Sequence, residues 1–164
     1  MSTRFSLREF QQGVLDRLKA QTTSNEQLSI LGVQIGSEHW LVDMADISEV
    51  MSLPKLTNVP HTKPWYCGIS NVRGTLYSVI DLAQFEGGAT TPHEGLSRIL
   101  LIGAKYSFNA ALLVTRILGL RNSSSWTQLE HGSEKRYRDS EGVEWRVLDI
   151  AALLQRPEFL QIGL

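Results

Sequence analysis

Gly68-Ile69-Ser70-Asn71-Val72-Arg73-Gly74-Thr75-Leu76-Tyr77-Ser78-Val79-Ile80-Asp81-Leu82-Ala83 is the stretch on which the fold turns, because its second half comes back. Gly74 to Ala83 (GTLYSVIDLA) aligns with Gly142 to Ala151 (GVEWRVLDIA), each position 68 residues on. A glycine turn, an aromatic, Val, an aliphatic, Asp, an aliphatic and Ala recur in that order. A duplicated turn–strand–cap unit implies two similar lobes. Asp81 and Asp149 each end a strand and precede an apolar–alanine run, where a carboxylate accepts from the free amides of a first helical turn.

Outward from the repeat, short strands alternate with turns. Residues 28–35 and 38–44 flank Gly36-Ser37, with Trp40, Val42 and Met44 alternating against His39 and Asp43. Residues 45–51 read as a helical turn leading into a strand. Pro54, Pro60 and Pro64 deny donors to a central strand and mark an irregular connection. Gly87-Gly88 to Pro92 is the boundary expected between lobes 28–88 and 95–155, which share the domain 28–155 and are open to exchanging strands. Strands are expected at 97–102, 108–115, 116–122, 135–139 and 143–149, with a polar loop over 123–133, a short helix over 151–155 and a tail over 156–164. Many short strands with little helix between them favour small closed barrels over a parallel sheet.

Residues 1–27 read as a helix and a link. Over 5–20, Ser6 and Glu9 form a capping-box pattern, Phe5 and Phe10 a staple, and Leu7, Phe10, Val14 and Leu18 an apolar stripe. The stripe suits packing on the home domain or on a partner.

The whole chain has 164 residues, 42% hydrophobic and 20% charged, which fits a folded domain. A formal net charge of −1 gives no global attraction for nucleic acid or anionic lipid. The single Cys67 excludes an internal disulfide and, with no secretory or spanning segment in view, makes the cytoplasm the expected compartment.

Catalytic chemistry finds little support. A small enzyme would have to use Asp81 with Asp149 as a carboxylate dyad, or Cys67 as a thiol nucleophile, and neither has the flanking residues such sites need. His39, His61, His93 and His131 are isolated, so neither metal nor cofactor is expected. A nucleic-acid-binding barrel would rely on Lys135-Arg136-Tyr137-Arg138, which Glu130, Glu134, Asp139, Glu141 and Glu144 neutralise.

The block from Gly68 to Leu82 resembles the coupling proteins of bacterial chemosensory systems, the CheW-like domains, which carry G-x-x-N-x-R-G, an aliphatic strand and a final Asp-Leu. Here these are Gly68, Asn71, Arg73, Gly74 and Asp81-Leu82. Asp46 to Val50 matches an upstream x-V-x-E-I element, and residues 111–120 and 141–154 match the family's later segments. Ser78 and Thr115 depart from its usual Pro and Asp. Leu76 to Val79 looks most like the coupling proteins attached to type IV pilus systems, which implies an output in twitching motility.

The resemblance implies a mainly β fold of two packed five-stranded barrels and a non-catalytic adaptor function. The implied partners are the regulatory domain of a CheA-like histidine kinase and the helical tip of a methyl-accepting chemoreceptor, the latter received in an apolar groove between lobes. The protein would be recruited to membrane-associated arrays without inserting in the membrane. The implied partner-binding residues are Ile47, Glu49, Val50, Asn71, Val72, Arg73 and Leu76, with Glu49 and Arg73 paired. Alternation along a strand requires about half of the apolar ones to face the core. Asn71 serves either the turn or a partner, and loss of Arg73 acts either through misfolding or through a lost contact.

Overall fold

The computed structural model describes residues 30–132 and 134–164; the helix expected over 5–20 lies outside them. Eleven strands form two sheets. They are β1 (Ile30–Ile35), β2 (Glu38–Asp43), β3 (Ile47–Met51), β4 (Tyr66–Val72), β5 (Thr75–Asp81), β6 (Arg98–Ile102), β7 (Ala110–Val114), β8 (Arg116–Arg121), β9 (Thr127–His131), β10 (Glu134–Arg138) and β11 (Glu144–Leu148). Short helices follow β5 (α1, Leu82–Phe85) and β11 (α2, Ile150–Gln155; α3, Pro157–Leu160).

One sheet runs β3-β6-β7-β5-β4 and the other β8-β1-β2-β11-β10-β9. Laid side by side, the first five places correspond, and so do the directions: antiparallel, antiparallel, parallel, antiparallel in both. The sequence repeat marks one corresponding pair, β5-α1 and β11-α2. Each sheet draws on both halves of the chain. β6 and β7 complete the sheet of β3–β5, while β1 and β2 complete the sheet of β8–β11, so the sheets cut across the 28–88 and 95–155 division.

Two five-stranded units are thereby corrected to sheets of five and six. The added strand, β9, falls in the segment expected as a polar loop. Its side chains are mostly polar, yet backbone pairing with β10 from Glu134↔His131 to Arg138↔Thr127 holds it as a strand.

Past Arg98 at its start, the run RILLI of β6 is apolar, as is AALLV of β7, because both faces of these strands are covered. Leu100, Ile102, Leu112 and Val114 meet Leu31, Val33, Trp40, Val42 and Leu148 between the sheets. Ile99, Leu101, Ala111 and Leu113 join Val72 and Val79 on the opposite face.

The five-stranded sheet has β3 and β4 as its edges. The connection leaving β3 returns to cover β4. Thr57 N–H donates to Ile69 O at 2.7 Å, Ile69 N–H donates to Thr57 O at 2.9 Å, and Ser70 Oγ donates to Lys55 O at 3.1 Å. Gly68 permits this approach, since a Cβ there would lie 2.4 Å from Thr57 O.

The C-terminal segment is built into the fold. Phe159 of α3 is 1% exposed and stacks on Trp65, with Phe85 and Phe108 around it. Beyond it, Gly163 bridges Thr62.

Candidate docking surface

The β4–β5 hairpin turns in two residues, with Val72 opposite Thr75. Arg73 (φ +49°) and Gly74 (φ +87°) both lie in the left-handed region, the signature of a type I′ turn that matches strand twist. Asn71 Oδ1 accepts from Gly74 N–H at 2.9 Å, so its side chain serves the turn. Arg73 thus stands at the hairpin tip, 72% exposed, and its guanidinium meets the Glu49 carboxylate through both Nη atoms, Nη1 at 3.3 Å. This fork-to-carboxylate geometry suits Arg and not Lys. The hydrogen bond from Arg73 holds the Glu49 carboxyl below its ordinary range, and Glu49 raises Arg73 further.

Leu76 sits beside Asn71 in the ladder and is 59% exposed, among the largest open apolar surfaces of the described residues. Val50 is half-buried against the core. Ile47 and Val72 are 8% and 7% exposed and belong to the two core clusters, so they do not form an exposed surface. The surface that remains comprises Glu49, Val50, Asn71, Arg73 and Leu76.

The turn before β3 carries a cluster that the sequence did not suggest. Tyr106 Oη donates to Asp46 Oδ1 at 2.5 Å, and Lys105 Nζ sits 2.8 Å from the same oxygen. Burial pushes the Asp46 carboxyl up, but the hydrogen bonds from Lys105 and Tyr106 prevail and hold it low; Asp46 in turn raises the Tyr106 phenol. The partners are 60 residues apart with no local motif to join them.

Asp81 and Asp149 are both caps, accepting from Gln84 N–H at 3.4 Å and Ala152 N–H at 3.1 Å. Their surroundings differ. Asp81 is fully buried and also accepts from Thr91 N–H and Thr91 Oγ1, each at 2.7 Å, which closes the loop after α1. Asp149 faces solvent, so the two carboxylates share no enclosed site. Burial, followed by the negative charge of Asp81, pushes the Cys67 thiol up to about 12, the reverse of an activated nucleophile. Among the described residues no group of three or more His, Cys, Asp or Glu side chains is placed to hold a metal. On β10, Arg136 pairs with Glu134 at 3.0 Å and Arg138 with Glu144 at 3.1 Å, which leaves no free basic stripe there. No helix of the described residues is long and apolar enough to cross a membrane.

Comparison with known proteins agrees with this architecture. The CheW-like domain profile matches residues 29–158. Protein PilI of Pseudomonas aeruginosa is 30% identical over 105 residues, covering 64% of this chain and 58% of PilI. Chemotaxis protein CheW of Thermotoga maritima is 24% identical over 127 residues, covering 77% of this chain and 83% of that protein. The crystal structure of the scaffolding protein TtCheW from Thermoanaerobacter tengcongensis superposes with a TM-score of 0.65 at 20% identity, over 79% of this chain and 93% of that one, a likeness of fold. With its doubled sheet order, its Asn71-x-Arg73-Gly74 hairpin and a profile match over most of its length, the chain belongs to the CheW-like domain family.

Proposed function

We propose that this protein is an adaptor coupling chemoreceptors to a CheA-like histidine kinase in a chemosensory array, with an output to type IV pilus motility. The observation that carries the reading is the surface made by Glu49, Arg73 and Leu76. It holds a tight hairpin tip, a fork-to-carboxylate pair and an exposed leucine. Such a surface recognises a macromolecule through one apolar anchor and a polar rim. The kinase regulatory domain is the partner of this hairpin, and the helical tip of a receptor lies along the junction of the sheets. Likeness to PilI supports the pilus system, and the protein works in the cytoplasm at membrane-associated arrays.

The five-stranded sheet is read as a barrel closed by the Thr57 segment instead of by direct β3–β4 pairing, and the six-stranded sheet as its twin, in which β9 takes the place of that segment. Closure keeps the hairpin tip fixed relative to β3, which a docking surface requires.

Purified protein is expected to co-migrate with the regulatory domain of the kinase and with receptor-tip fragments, with little dependence on salt. A binding slope steep in salt points to nucleic acid instead. Failure to bind either protein fragment overturns the reading.

A further inference from the structure

We infer that the segment over residues 156–164 is a strap that clamps the connection between β3 and β4, and through it sets the docking hairpin against Glu49. The connection joins the two edge strands that carry Glu49 and the hairpin, and it is held at two places. Near its start it lies on β4, through the paired bonds of Thr57 and Ile69. Near its end it lies on the strap. There Lys63 N–H donates to Ile162 O at 2.8 Å and Leu164 N–H donates to His61 O at 3.1 Å, with Thr62 opposite Gly163. The strap is anchored in turn: Arg156 pairs with Glu86 at 3.2 Å and lies over the Phe85 ring, and Phe159 fills the aromatic site beside Trp65.

The turn between these two holds carries strain. His61 has φ +59°, in the left-handed region that a residue bearing a Cβ enters at a cost, and its side chain is exposed. Such a conformation persists where its surroundings over-determine it. Here the strap supplies that constraint. Leu164 N–H takes the His61 carbonyl, Lys63 N–H is engaged two residues on, and Thr62 Oγ1 closes the turn by donating to Val59 O at 3.0 Å. Beyond the turn Tyr66 N–H donates to Lys63 O at 3.0 Å, and Asp81 N–H donates to Trp65 O at 2.8 Å, so the strapped residues run straight into the β4–β5 ladder. Without the strap the turn relaxes, the Thr57 bridge loosens, and β4 keeps only β5 as its neighbour. Arg73 lies four residues beyond Ile69, so its pair with Glu49 loosens in step.

The test compares the full chain with one shortened after Gln161, which loses both strap bonds and keeps Phe159. Amide hydrogen exchange is followed by NMR. In the shortened chain the amides of Thr57 and Ile69 are expected to exchange about ten-fold faster or more, while those of Leu100 and Leu112 in the core strands keep their rates. Leu164→Pro removes one donor from a residue that is 83% exposed. It is expected to act in the same direction by a smaller factor, and it decides the matter if the shortened chain does not fold. The Glu49 carboxyl, followed by 13C NMR, is expected to titrate closer to its ordinary range in the shortened chain than in the full one. Neither kinase nor receptor enters the measurement, so its outcome is independent of the adaptor reading. Unchanged exchange at Thr57 and Ile69 overturns the inference. So does an equal rise at Leu100 and Leu112, which means general destabilisation, or a Glu49 titration identical in the two chains.

Discussion

Arg73, at the tip of the β4–β5 hairpin, grips Glu49 of β3 with both Nη atoms of its guanidinium, and the two residues belong to opposite edges of one five-stranded sheet. The contact ties the hairpin tip to β3, so it fixes the position of the hairpin more than it adds to stability. Both side chains reach solvent, and exposed pairs of this kind contribute little to folding.

Arg73→Ala is therefore expected to leave the unfolding midpoint close to that of the parent while weakening partner binding, and Arg73→Lys to restore binding only in part, because an ammonium lacks the planar fork. Thermal denaturation beside a pull-down separates the two effects. Unfolding of the Arg73→Ala protein at ordinary temperature would assign the pair to the fold. Because Arg73 depresses the Glu49 carboxyl, the pair's contribution is present above the ordinary carboxylate range and is lost as pH falls below that range through the depressed value.

The two repeat aspartates predict unequal costs. Asp81→Ala removes two short hydrogen bonds from Thr91 inside the fold and is expected to cost about 3 kcal/mol or more, at about 1.5–3 kcal/mol for each bond to a charged group. Asp149→Ala removes an exposed cap and is expected to cost about 1 kcal/mol. Urea unfolding of the two variants measures the difference, and equal losses would show that the Thr91 latch contributes nothing.

Cys67 is expected to resist iodoacetamide at pH 8 in the folded protein and to react once the chain is unfolded, since its thiol is pushed up to about 12. Above pH 9, the thiol's ordinary value, the unfolded chain releases this proton while the folded chain keeps it, so stability falls as pH climbs from 9 toward 12. Cys67→Ala removes that slope. Rapid alkylation of the native protein contradicts the placement.

Phe159→Ala is expected to destabilise by about 3–5 kcal/mol, the cost of emptying a buried aromatic site. The ring lies among Trp65, Phe85 and Phe108, so loss of tryptophan fluorescence contrast should accompany the shift in urea midpoint. An unchanged midpoint would show the C-terminal segment to be dispensable.

What the sequence disclosed was local. Gly36-Ser37 and Arg73-Gly74 announce tight hairpins, and the two Asp residues that end repeat strands announce caps, because turn and cap chemistry reside in neighbouring residues. The repeat led to a doubled architecture for the same reason. What stayed hidden depends on distant pairing. Nothing in RILLI or AALLV says that β6 and β7 join strands from the first half, and nothing in Thr91 says that it latches Asp81. β9 was masked by its polar side chains, since its order comes from backbone bonds to β10. At the surface, alternation announced that some of Ile47, Val50, Val72 and Leu76 must face inward, but only the register shows that Ile47 and Val72 are the inward ones.

The adaptor account is tested most directly by titrating the full chain, and its Arg73→Ala and Leu76→Asp variants, with the regulatory domain of a CheA-like kinase in a calorimeter. A saturable complex is expected with the parent chain, and loss of binding in both variants, with their folds intact by circular dichroism. Equal binding by all three proteins, or none by the parent chain, would contradict it.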